Sequence, residues 1–238
     1  MAQSGQDMPA GQAGGASAGA WQQNPAENKR EIDKREIIAI ARAVAARRSY
    51  VVEYADIYDA LRDVVEDDDE FDELEDKLYD DIVEGRIKNV YRFWGKCDSS
   101  ECDIIIVTPD ELSERRLKII EELVELYRFR PYDCDEDERK ELTRTLHNLI
   151  KMWFSDCRHV SSPAEAVYEL AKSHSLEIEE EDYRDEWYAG SVYYKIENVD
   201  VRVVESVGYC SECKDFDVPS YDGIIDKCKS WHFEDDAD

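Results

Sequence analysis

Near the C-terminus, Cys210-Ser211-Glu212-Cys213 is followed, after fourteen intervening residues, by Cys228-Lys229-Ser230-Trp231-His232. Two cysteines separated by two residues form a tight knuckle whose thiolates converge, and Cys228 and His232, four apart, share one face of a helix. Cys210, Cys213, Cys228 and His232 are therefore four soft ligands able to close a tetrahedron around Zn²⁺. The competing reading is a free pair of surface thiols beside two unrelated residues. A redox Cys-x-x-Cys fits less well, because the pair follows a strand hairpin instead of opening the helix of a thioredoxin-like unit. A looser second metal set joins Cys97 and Cys102 to Cys157 and His159, and its bland alternative is a group of buried free cysteines.

Residues 85–96 offer different chemistry, with Arg86, Lys88, Arg92 and Lys96 and no acid. Tyr91, Phe93 and Trp94 are interleaved with them, a combination that meets phosphates with cations and sugars or bases with rings. Arg47 and Arg48 close another basic block, 29–48, with a net charge of +4. The plainer reading of 86–96 is a half-buried strand with Ile87, Tyr91 and Phe93 on one face and Lys88, Arg92 and Trp94 on the other. Catalytic motifs are absent: there is no Gly-rich phosphate loop, no Gly-x-Ser-x-Gly elbow and no His-Glu-x-x-His. His147 and His174 have no catalytic partner in the sequence, and Asp67-Asp68-Asp69-Glu70 could hold Mg²⁺ but reads rather as a solvated turn. The expectation is a protein that is not an enzyme.

The 238 residues carry 58 Asp and Glu against 30 Lys and Arg, a formal charge of −28. A uniformly acidic body would repel nucleic acid, but the charge is blocked, and residues 63–84 alone hold thirteen acids and one lysine. A helix built from that stretch cannot enter a major groove at ordinary salt, so any DNA contact falls to the basic blocks. Apolar runs such as Ile104-Ile105-Ile106-Val107 are far too short to span a bilayer, which leaves no membrane partner. With no secretory leader in view, a cytoplasmic location is expected, where seven cysteines read as reduced thiols or metal ligands.

The elements that must position these groups follow from periodicity. Residues 1–28 are rich in Gly, Ala, Gln and Ser and read as a flexible tail. Ile32, Ile37, Ile40, Ala41 and Val44 recur at helical spacing up to Arg48; Tyr50-Val51-Val52 is extended; Ile57, Tyr58 and Leu61 mark a second helix. Phe71, Leu74, Leu78, Ile82 and Val83 mark a third that stops at Gly85. Strands are expected from Ile87 to Trp94 and from Asp103 to Val107, around a turn from Gly95 to Glu101. A helix of about nineteen residues after Pro109 carries Leu112, Ile119, Ile120, Leu123 and Leu126, a stripe that serves either its own domain or a homodimer seam. In the second half, Leu142, Leu146, Leu149, Ile150 and Trp153 form a helix face, Pro163 opens another helix, and Val192 to Ile196 and Val201 to Val204 are strand-like. The blocks 57–61 and 167–171 resemble each other, and the acidic segment 179–186 precedes Gly190 as the acidic helix precedes Gly85.

Helix, short strand, helix, helix and hairpin over about 31–108 is the order of a winged-helix domain, and this stretch resembles that family. The resemblance implies a hairpin wing that touches phosphates, and the echo in the second half implies a diverged second copy. The C-terminal motif is similar to two-Cys two-His zinc fingers with Cys228 in place of the first His. Phe216 and Ile225 stand near the small-core positions of such fingers, although Phe216 is one place early and Pro219 and Gly223 interrupt the segment. The fold class expected is α+β: a tail at 1–28, a winged-helix-like domain at 29–108, a linking helix at 109–130, a second such domain at 131–207 and a zinc module with an acidic tail at 208–238. Three functions fit: a zinc-binding, DNA-associated regulator of halophilic archaeal or viral origin, a protein-docking adaptor or assembly subunit with a structural zinc, and an acidic DNA mimic.

Overall fold

The first helix, α1 (Lys34–Arg47), is fixed at its start by a reciprocal cap. The Asp33 carboxylate accepts the Arg35 N–H at 2.9 Å and the Glu36 carboxylate accepts the Asp33 N–H at 2.5 Å, which satisfies orphan donors of the first turn. It ends at Arg48, in the left-handed region at φ 53°. In the computed structural model the described residues are 31–97, 100–128, 136–154, 163–183 and 191–204.

Strand β1 (Val51–Glu53) leads into α2 (Tyr54–Arg62) and then α3 (Asp68–Val83), which is capped by Asp67 accepting the Glu70 N–H at 3.0 Å. Gly85, at φ 65°, takes the left-handed turn that ends this helix. The hairpin of β2 (Val90–Cys97) and β3 (Ser100–Val107) follows, and β3 also pairs with β1, giving an antiparallel sheet in the order β1-β3-β2. The strand expected from Ile87 starts only at Val90, because Asn89 sits at φ 63° and turns the chain, while Ile87 is buried within that turn. The hairpin is also longer than expected. Gly95, Lys96 and Cys97 pair with Cys102, Glu101 and Ser100, so most of the anticipated turn is ladder. Along β3, Ile104, Ile105, Ile106 and Val107 are all buried, so the sheet is covered on both faces, and apolar residues run consecutively instead of alternating.

Helix α4 (Glu114–Arg128) is shorter than expected and buries Ile120, Leu123 and Val124 within its own fold, packing against β2. Helices α5 (Glu136–Phe154) and α6 (Ala164–Ser173) precede a second sheet of β4 (Ile178–Tyr183), β5 (Ser191–Ile196) and β6 (Val199–Val204), in the order β4-β5-β6. Glu197 and Asn198, at φ 49° and 71°, form the two-residue turn between β5 and β6 that matches strand twist. Two expectations fail here. The acidic segment from Ile178 is a strand, not a counterpart of acidic α3, and the second sheet is a meander, whereas the first places its last strand in the middle.

Among the described residues the chain is thus α+β, with six helices and two three-stranded antiparallel sheets. Those from Ile32 onward form one compact unit around one hydrophobic core. Its centre is α1, which packs against α2 and β1 and also against α6 and β6. That double coverage explains why Ile38, Ala39 and Ala43 are buried beyond the single stripe read from the sequence. No helix among the described residues is long and apolar enough to cross a membrane.

Candidate interaction surface

Three of the six basic residues expected to meet phosphates, Arg86, Arg92 and Arg47, are committed to carboxylates of the same chain. Arg86 leaves the end of α3 and turns back onto it, its Nε donating to Asp81 Oδ1 at 2.5 Å and its guanidinium also pairing with Glu84. Asp81 is fully buried, as is Glu36 from α1, and Lys77 bridges them, with Nζ 2.5 Å from Glu36 Oε2 and 3.2 Å from Asp81 Oδ2. The result is a chain of two acids and two cations tying α1 to α3 and to the turn after it. Burial pushes the Glu36 carboxyl above its usual range, Lys77 and the Asp33 N–H opposing the shift, and its Oε1 has no hydrogen-bond partner.

Arg92 on β2 is held in the same way. Its Nε donates to Asp103 Oδ1 at 2.6 Å, a second nitrogen reaches the Tyr79 hydroxyl at 3.4 Å, and the guanidinium lies 4.8 Å from the Trp94 ring centroid. Trp94 is therefore half-buried, with the Arg92 guanidinium over its ring. Arg47 donates to Asp56 Oδ1 at 2.8 and 2.5 Å. Arg35, Arg42 and Arg62 pair with Glu70, Asp63 and Asp68. Of the residues singled out in the sequence, Lys88 and Arg48 are exposed and have no carboxylate at ion-pair distance among the described residues. The Lys96 side chain lies outside the described set.

The acids of α3 divide by face. Glu75 accepts from the Tyr54 hydroxyl at 2.8 Å and Glu70 holds Arg35, but Asp69, Asp72, Glu73, Asp76 and Asp80 are exposed without an ion pair among the described residues. Beside this helix, Tyr58 of α2 is the one large apolar side chain among the described residues that is counted as exposed, at 42%, edge-on to Phe71. The surface presented by α2 and α3 is thus an anionic helix face with an aromatic rim.

The sequence missed the partner acids Asp56, Asp81 and Asp103. Signals for two of them were present: Lys77 and Asp81 stand one turn apart on α3, and Asp103 lies diagonal to Arg92 once the hairpin register is known. Cys210, Cys213, Cys228 and His232 lie outside the described residues, as do Cys157 and His159. Cys102 is disulfide-bonded, and a disulfide sulfur has no thiolate to give a metal, so the second metal set loses that ligand in this state. Among the described residues no group of three or more His, Cys, Asp or Glu side chains is arranged to hold a metal ion. No family model matches the chain, and searches of curated proteins and of solved structures return no match.

Proposed function

We propose that this protein is a non-catalytic adaptor whose N-terminal half is a winged-helix-type unit used to dock a basic protein surface. The β1-β3-β2 sheet with α2 and α3 before the hairpin supports the winged-helix reading of the unit. One observation carries the choice of partner. Three of the cations that would face phosphates, Arg47, Arg86 and Arg92, are spent on Asp56, Asp81 and Asp103, while the helix in the recognition position exposes unpaired acids. Neutralised arginines release few counterions from DNA, and that release drives most phosphate-backbone affinity. The Cys210, Cys213, Cys228 and His232 spacing supports a structural Zn²⁺ in a C-terminal module.

A second reading, DNA association through the turn after α3 and the end of α1, is favoured by exposed Lys88 and Arg48. The deciding experiment purifies the full chain with its stoichiometric partner and repeats this with Asp72→Lys, Glu73→Lys and Asp76→Lys together. The adaptor reading expects the partner to be lost from that variant and no DNA retention at any salt. Retention on DNA in about 1 M KCl, where the Debye length is about 3 Å, with loss on Lys88→Ala, would overturn it. Elemental analysis of the same preparation is expected to find about one equivalent of zinc, falling on Cys213→Ser.

A further inference from the structure

His147 sits on α5, outside the winged-helix-type unit, yet its ring is hydrogen-bonded to the two residues that lead into that unit's first strand. The Tyr50 N–H donates to His147 Nδ1 at 3.1 Å, and Ser49 Oγ is also 3.1 Å from Nδ1. The imidazole stacks on the Tyr50 ring with centroids 5.1 Å apart. An Nδ1 that accepts from a backbone N–H carries no proton, so the Ser49 hydroxyl donates to it as well, while Ser49 Oγ accepts the Val51 N–H at 3.1 Å. Both donors are satisfied only by a neutral ring. Protonation puts a hydrogen on Nδ1 and sets N–H against N–H.

We propose that His147 is an acid-operated latch: α5 is held against the backbone of residues 49–51 while the imidazole is neutral and is released when the ring takes up a proton. This does not depend on the partner proposed above. The charged side chains on the elements that meet here are Arg144 and Lys151, one turn to either side on α5, with Arg48 at the end of α1 and Glu53 on β1. Burial first, and then the Lys151 charge, hold the imidazole down to about 4 from its ordinary 6.5. For a histidine lowered in this way, the stabilisation is complete above the free value and is lost as the pH falls toward the docked one. Between about pH 7.5 and pH 5 the docking equilibrium weakens about 30-fold.

The test is amide hydrogen exchange on the full chain at those two pH values, corrected for intrinsic rates and read at Tyr50 and along α5. Protection in the native sequence is expected to fall about 30-fold on acidification. In His147→Asn, whose amide oxygen can take the Tyr50 N–H without titrating, the fall is expected to be under about threefold. Equal losses in the two proteins would overturn the latch. Should the variant not fold, an NMR titration of His147 in the native sequence decides the matter: a midpoint below about 5.5 supports the latch, and one at or above that value overturns it.

Discussion

Asp81 shows at the scale of one residue how this chain uses its charge. It is fully buried with Lys77 on one carboxylate oxygen and Arg86 on the other, and without it two cations face Glu36 and Glu84 alone. Removing one partner of a buried pair leaves the others desolvated, which costs more than the pair contributes when intact. Asp81→Asn, which keeps the shape and removes the charge, is therefore expected to lower stability by about 3–5 kcal/mol in denaturant unfolding. A loss under about 0.5 kcal/mol would put the cluster in the class of solvent-screened surface pairs. Glu36 and His147 act oppositely on titration. The carboxyl is raised by burial, so what it contributes is present in acid and lost as the pH rises through its folded value. The imidazole is lowered, so its contribution is lost in acid. None of this was legible from residue types: Arg86 and Arg92 read as phosphate ligands because a sequence shows cations but not the carboxylates that fold onto them.

At the scale of the element, local signals were strong where a backbone constraint coincided with a periodic pattern. Gly85 was readable as the stop of α3 because a helix end commonly needs a left-handed residue, and it does sit at φ 65°. A Cβ at that position would meet nothing within 4 Å, so the cost of Gly85→Ala is conformational alone. It is expected to be about 1 kcal/mol, seen as a lower midpoint at an unchanged slope in urea. A neutral result would mean that the turn relaxes to negative φ. The hairpin was less readable. Asn89 occupies the left-handed region without being glycine, and the ladder continues through Gly95 and Cys97, where polar residues and a glycine suggested a turn. The strand at Ile178 was misread for a physical reason. Four consecutive acids have low strand propensity, and it is pairing with β5, Glu179 opposite Lys195 among others, that makes them a strand.

At the scale of the whole molecule, two separate domains are what the sequence suggests, since each half has its own strands and helices, yet the described residues from Ile32 onward share one core. What joins them is α1, an Ile- and Ala-rich helix whose small side chains allow close approach from α2 on one side and from α6 and β6 on the other. Lys34 adds a tie at the helix start, its Nζ 2.7 Å from Glu197 Oε1 in the turn between β5 and β6, while the same oxygen accepts the Glu177 N–H. This ion pair is exposed and contributes little, so the coupling rests on burial. Ile40, fully buried at the middle of α1, is the sensitive point. Ile40→Ala removes apolar volume from a core both halves share and is expected to cost about 2–5 kcal/mol. Because the core is common, that loss should appear equally at probes in each half. Amide exchange along β3 and along α6 should report one coincident transition, displaced by the same amount in the variant. Two separate transitions, with only the β3 signal moved, would mean that the halves fold independently and that the contacts of α1 with α6 and β6 carry no stability.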